Sequence, residues 1–349
     1  MLRFEYKKRK WEGLHMFSGF TKVLLSALAL ASTTLIATND ANAQRRFRFA
    51  YDQPKTTGYG IAGDLFANKL AEISKGAFGV DQYPGAQLGQ EPQVLQLLKS
   101  GDLDFAITST ANTATVSPQA GVFSLHFLFR DEAHLVKALA DPGVSKAMHD
   151  LIEETVPGAH ALALATLGFR NIYSKKEIKN IGDMKGLKIR VQATATEDAI
   201  FPAYGAQTVH MPFGSVYTSI QTGVMDAAEN SVNVFLANKH YEVAPVLSMT
   251  QHEANNSIVW VSDKTWQSLT PEQQGWVQAA ADEVGKNEPK KALELETQSE
   301  AKLKAIGVKI VSDVDKSGLV KASEPFLAKL SKELGPHAEK LVQLVQAVK

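Results

Sequence analysis

What most constrains the fold of this chain is an alternation of strand and helix patterns that occurs twice. Residues 47–51 place Phe47, Phe49 and Tyr51 at every second position, the period of a half-buried strand. A polar turn at residues 52–58 follows, and then Ile61, Leu65, Phe66, Leu70 and Ile73 recur with a period of about 3.6, a helix with one apolar face. Residues 80–83 form a short strand closed by Pro84-Gly85. A helix opens at Glu91-Pro92 and stops at Gly101, and residues 103–107 return to strand. Strand, helix, strand, helix, strand is the pattern of a parallel sheet covered by helices.

The pattern repeats after a helical stretch over residues 131–154. Residues 161–167 read as a buried strand ending in Gly168-Phe169-Arg170-Asn171, and Leu187, Ile189 and Val191 alternate along the next strand. Thr194 and Glu197 stand at capping-box spacing and open a helix that ends before Gly205. A strand at residues 208–211, a helix at residues 213–221 and a strand from Met225 complete the second unit. Residues 258–261 make one more strand, which returns to the first unit. Thr270-Pro271-Glu272-Gln273 then opens a long helix reaching Ala305, with a kink or restart expected at Glu288-Pro289. A strand at residues 308–311 and a helical remainder end the chain. The expected fold is α/β with two lobes, residues 44–167 plus 256–295 and residues 168–255 plus 296–349. Ligands in such folds lie outside the carboxyl ends of the strands.

The N-terminus reads as a processing segment. Lys22 precedes an apolar run at residues 23–36, and Ala41-Asn42-Ala43 is a small-residue cleavage site that makes residues 1–43 a signal peptide, with Met16 an alternative start. The run is shorter than the roughly 20 residues of a spanning helix. A soluble, exported, periplasmic protein is therefore expected. Of the 37 Lys+Arg and 37 Asp+Glu, residues 1–43 hold six and three, so the remainder carries 31 against 34 and has no basic footprint for nucleic acid. The chain has no cysteine, which excludes disulfides, thiolate metal sites and thiol nucleophiles.

Four polar features end strands or open helices in the second unit: Arg170, Arg190, the turn at Phe213, and Glu229-Asn230. Arg190 stands where a guanidinium fork and nearby helix N–H groups would hold a carboxylate. Taken singly, each has an ordinary structural explanation, but all leave the same edge of one sheet. The nine histidines are dispersed without H-E-x-x-H or similar spacing, so neither a metal site nor a cofactor is expected. His126 reads as a satisfied core histidine. Gly214-Ser215-Val216-Tyr217 is not a nucleophile elbow, and no glycine-rich phosphate loop is present.

Several segments carry a resemblance. Gly168-Phe169-Arg170, the strand at residues 186–191, Met211-Pro212-Phe213 through Tyr217, and residues 221–230 ending in Glu229-Asn230 resemble the solute-binding proteins of TRAP transporters, the DctP family. Gln87-Leu88-Gly89, the Leu98 to Phe105 segment and Phe127-Leu128-Phe129 add to it, in the same order along nearly all of residues 44–349. The resemblance implies a two-lobed receptor with crossing hinge strands and a long helix over both lobes. Such a receptor captures an organic acid in the periplasm and delivers it to the small and large subunits of a membrane permease.

Carried over to this chain, Arg190 would hold the ligand carboxylate bidentately, Arg170 would add a second charged hydrogen bond, Asn230 would help orient the carboxylate and Arg190, and Phe213 would pack on the ligand. Asp52, Gln53, Glu91 and Ser109 would face it from the first lobe. Two departures stand out: His126 where the family commonly has proline, and Ser231 in place of a proline after Asn230. The polar first-lobe set favours a sugar acid such as a hexuronate over a C4-dicarboxylate. The alternatives are an exported enzyme acting on such acids, with Glu229 as its base, or a receptor feeding a sensor. A monomer is expected.

Overall fold

The computed structural model describes residues 44–349; the expected signal peptide and the alternative start at Met16 lie outside the described residues. The strands are β1 (Arg45–Ala50), β2 (Phe78–Tyr83), β3 (Phe105–Ser109), β4 (Ala159–Ser174), β5 (Lys188–Val191), β6 (Gln207–His210), β7 (Ala227–Asn230), β8 (Val246–Ser262) and β9 (Lys309–Val311). The helices are α1 (Gly58–Ile73), α2 (Glu91–Ser100), α3 (Thr110–Thr113), α4 (Glu132–Leu139), α5 (Pro142–Thr155) and α6 (Ala195–Ala203) in the first part of the chain. They continue with α7 (Val216–Gln221), α8 (Val232–Ala237), α9 (Asp263–Gln267), α10 (Pro271–Ala305), α11 (Ser317–Glu333) and α12 (Pro336–Ala347).

All nine strands join one mixed sheet in the order β2-β1-β3-β8-β4-β7-β5-β6, with β9 beside β8. β1 pairs parallel with β2 and β3, and β5 pairs parallel with β6 and β7, as the two strand–helix patterns require. The antiparallel pair β4 and β8 stitches these two parallel sets together.

Both long strands exceed their sequence expectation. β4 does not stop at Leu167 but continues to Ser174, and β8 is 17 residues long where four were expected. Glycine at position 168 suggests a strand end, yet it serves a bulge. The β4–β8 register shifts between Thr166 and Phe169, and Gly168 takes φ +92°, a conformation that L side chains rarely adopt. A Cβ there would also lie 2.7 Å from Glu296 Cγ on α10.

The long helix corrects the sequence expectation in the other direction. α10 runs 35 residues without interruption through Pro289, so the helix does not restart there. Proline clashes with the carbonyl four residues earlier, and that residue is Gly285, the one most able to adjust. Tertiary packing supplies the rest: Val277, Ala280, Ala281 and Val284 are buried against α1 and β4. In the first lobe, Phe47, Phe66 and Phe105 pack with ring centroids 5.4 and 4.9 Å apart, each buried ring contributing about 1.5–3 kcal/mol. The C-terminal helices close the molecule elsewhere, α11 on α6 and α12 on α5, where His134 Nε2 lies 2.9 Å from the Val345 carbonyl. No helix among the described residues is long and apolar enough to cross a membrane.

Candidate functional site

A cleft of about 280 Å³ opens between the two α/β units, with a narrow inner end of about 20 Å³. The outer volume lies near the lower bound for small-molecule pockets, roughly 300 Å³. Arg190 comes from β5, flanked by β6 and β7, so its position is set by the sheet and not by a loop. It is 3 % exposed, and its Nε and Nη2 donate to the Met211 carbonyl at 3.1 and 3.0 Å. Among the described residues, no carboxylate lies within ion-pair distance of it. Burial consequently pushes the guanidinium below its ordinary pKa.

Glu91 faces it from the first turn of α2. The glutamate accepts hydrogen bonds from Tyr59 Oη at 2.9 Å, the Ser109 N–H at 3.0 Å, Ser109 Oγ at 2.7 Å and Asn112 Nδ2 at 2.7 Å. Asp52 accepts from Gln53 Nε2 at 3.0 Å, and burial together with the neighbouring Glu91 raises its pKa well above the carboxylate range. Three bonds cross the cleft: Gln192 Nε2 to Ser109 Oγ at 2.8 Å, the Gly214 N–H to Gln90 Oε1 at 3.1 Å, and Asn238 Nδ2 to Gln53 Oε1 at 3.2 Å.

Of the residues expected at the site, Asp52, Gln53, Glu91, Ser109, Arg170, Arg190, Phe213 and Asn230 all line the inner end. Glu229 does not. Its carboxylate bonds Arg170 through both oxygens, at Nε and at Nη2, and its carbonyl accepts from Nη2 at 3.0 Å. Glu253 Oε2 stands 3.5 Å from Arg170 Nε, so this arginine is already neutralised by protein carboxylates, unlike Arg190. Arg170 lines the inner end already paired, and the expectation that Glu229 faces the ligand is corrected, since its carboxylate is taken up by Arg170. The cause is the length of β4: Arg170 lies inside that strand, which pairs with β7 so that Asn230 opposes Asn171 and Glu229 opposes Ile172, while Glu229-Asn230 end β7 as expected. Asn230 Oδ1 accepts from Asn255 Nδ2 at 2.8 Å.

Asn112, Gln192 and Asn255 escaped the sequence reading. Only Asn255-Asn256 carried a signal, since asparagine is depleted in strands and two together inside β8 mark a functional break in pattern. A second polar group also escaped. Behind Arg170, His126, His252 and Glu253 gather their ligating atoms within 4.8 Å of one another, although the sequence separates His126 from His252 widely. His126 is buried as expected, but only its Nδ1 is bonded, 2.8 Å from Tyr204 Oη.

The model of the bacterial extracellular solute-binding protein family 7, DctP, matches residues 49–333, and this chain belongs to that family. It is 31% identical over 291 residues to the 2,3-diketo-L-gulonate-binding periplasmic protein YiaO of Escherichia coli, covering 83% of this chain and 88% of the relative. The crystal structure of a TRAP periplasmic solute-binding protein from Bradyrhizobium sp. BTAi1, in complex with α/β-D-galacturonate, superposes with TM-score 0.79 at 31% identity, covering 87% of this chain and 99% of the other. One from Pseudomonas putida F1 with bound D-glucuronate gives TM-score 0.79 at 30% identity, with 87% and 97% covered. The chain is therefore a solute-binding protein of the TRAP type, a family of periplasmic receptors for small molecules that work with a membrane permease.

Proposed function

We propose that this protein captures a small carboxylate, a sugar acid such as a hexuronate in the first place and a C4-dicarboxylate only second, and delivers it to the small and large permease subunits. The observation that carries the reading is the asymmetry of the cleft. One wall offers Arg190, a buried guanidinium without a protein counter-ion; the other offers Asp52, Glu91, Gln53, Ser109 and Tyr59. Arginine pairs with a carboxylate through two parallel bonds, whereas acidic and amide oxygens accept from hydroxyls. A second carboxylate at the far end would meet Glu91, whose oxygens already accept four hydrogen bonds, and no lysine or arginine among the lining residues of that wall. The relatives described with galacturonate, glucuronate and diketogulonate support the same class. No catalytic step is assigned, because Glu229 is taken up by Arg170.

The test is calorimetry with hexuronates, aldonates and C4-dicarboxylates against the wild type, Arg190→Ala and Arg190→Lys. Hexuronate binding is expected in the wild type, none with alanine, and at least about a tenfold loss with lysine, whose point charge cannot replace the fork. Unchanged affinity in Arg190→Ala would place the site elsewhere. Binding of a C4-dicarboxylate with no response to any uronate would overturn the ligand class.

A further inference from the structure

Behind the cleft lies a second polar cluster, none of whose members lines it: His126 from the loop before α4, Glu197 from the first turn of α6, and His252 with Glu253 from β8. Neighbouring residues of a regular strand point to opposite faces. Here the ladder passes from Arg170 opposite Glu253 to Ile172 opposite Ser248, so residues 249–252 bulge out of register, and Gln251 takes φ +46°. That irregularity lets His252 and Glu253 turn toward one point. The Phe127 N–H donates to the His252 carbonyl at 2.8 Å and brings His126 alongside, the two imidazole centroids 4.8 Å apart.

Each imidazole is fixed by its outer nitrogen, His126 Nδ1 on Tyr204 Oη at 2.8 Å and His252 Nδ1 on Thr250 Oγ1 at 2.8 Å. Both Nε2 atoms therefore point inward. They are fully buried without a hydrogen-bond partner, and so are Glu253 Oε2 and both carboxylate oxygens of Glu197. Five buried polar atoms without hydrogen-bond partners in one place are costly unless something binds them. His126 Nε2 stands 3.4 Å from Glu197 Oε2.

We propose that His126, His252, Glu253 and Glu197 form a buried site for a divalent transition-metal ion, with zinc the best match. Two imidazoles and two carboxylates are a tetrahedral donor set for that ion, and imidazoles braced at the outer nitrogen are how metal ligands are oriented. Tetrahedral donors at zinc distances stand about 3.3 Å apart; the His126, His252 and Glu253 atoms lie within 4.8 Å of one another and Glu197 Oε2 is 3.4 Å from His126 Nε2, so small side-chain movements would bring them to an ion. Charge points the same way. Glu229 bonds Arg170 through both oxygens, so Glu253, although its Oε2 stands 3.5 Å from Arg170 Nε, and Glu197 are the carboxylates that would balance one divalent cation. The ion would tie α6 and the loop carrying His126 to the crossing strand β8. It would enter as the chain folds, since the site is closed to solvent.

The test is to unfold the purified protein in guanidinium with a chelator, refold it with Zn²⁺ or without, dialyse, and count metal by mass spectrometry. About one zinc per chain and a higher melting temperature are expected, with His126→Ala/His252→Ala falling to about a tenth of that content or less. Refolding the wild type with Co²⁺ should give the visible absorption of a tetrahedral site, a readout that depends on no variant. Background zinc together with a spectrum of hexa-aquo Co²⁺ would overturn the proposal and leave protons to balance the carboxylates. Stoichiometric zinc that persists in the double variant would overturn it as well.

Discussion

Two buried arginines stand near each other in this protein with opposite electrostatic situations. Arg170 is 1 % exposed and bonded by Glu229, with Glu253 beside it; Arg190 is 3 % exposed and bonded only to a carbonyl. Removing one partner of a buried ion pair leaves the other charge uncompensated and costs about 3–5 kcal/mol. Removing a charge that has no counter-ion strands no charge and leaves only the Met211 carbonyl, in a part-buried position, without its donors. We therefore expect Arg170→Met to lower stability by about 3–5 kcal/mol, and Arg190→Met to stay within about 1 kcal/mol of the wild type while losing the ligand. Urea unfolding of the ligand-free protein measures both, and equal losses would contradict the distinction. Sequence spacing treats the two residues alike, because each lies near an expected strand end; only the pairing of β4 with β7 gives Arg170 its carboxylate.

At the scale of the element, α10 is held to the sheet by two buried carboxylates as well as by its apolar face. Glu288 Oε2 accepts from the Thr166 N–H at 3.0 Å at the β4 bulge. Glu296 accepts from the Val232 and Asn233 N–H groups at 2.7 and 2.6 Å, where α8 begins. Burial pushes Glu296 from its ordinary 4.5 up to about 8, against the pull of those two donors. The folded protein thus keeps a proton that the unfolded chain has released throughout that interval. Its contribution to stability is complete below about 4.5 and is lost as pH rises to about 8, by at most ~1.4 kcal/mol per unit. Glu296→Gln cannot titrate, so the stability of the wild type relative to this variant should fall between pH 5 and pH 8. Parallel melting-temperature curves for the two proteins would show that Glu296 is not the titrating group. The sequence marks the start of this helix well, since Thr270 and Gln273 form the capping box that their spacing announces. It misleads at Pro289, where a local preference for breaking is overridden by packing on both sides.

For the whole molecule, the two lobes are joined by the uninterrupted strands β4 and β8, and both carry bulges near the cleft. Such strands bend more readily than they part, which suits a hinge. The Gln192–Ser109, Gly214–Gln90 and Asn238–Gln53 bonds require the cleft walls to approach, and a ligand spanning from Arg190 to Glu91 favours that approach. Saturating sugar acid is expected to reduce the radius of gyration in small-angle scattering. At a hundred times the dissociation constant it should add about 2.7 kcal/mol of stability. Gln192→Ala should weaken binding up to about tenfold, chiefly through faster release, because one hydrogen bond contributes about 1 kcal/mol. An unchanged scattering profile with bound ligand would remove the hinge from the account.

The alternation of apolar residues determined the α/β elements, their order and the parallel sets on either side of the cleft, since local period follows from backbone geometry alone. The same reading placed Arg190, Phe213 and Glu91 at element ends, and the family resemblance added Ser109; the structure finds all four lining one cleft. Only the tertiary structure decided how far β4 and β8 run, that Glu229 serves Arg170, and that His126 meets His252. Those outcomes depend on pairings between residues distant in the chain, and no local pattern encodes which distant partner arrives. That is why the anchor of the cleft was legible in the sequence, while the buried cluster behind it was not.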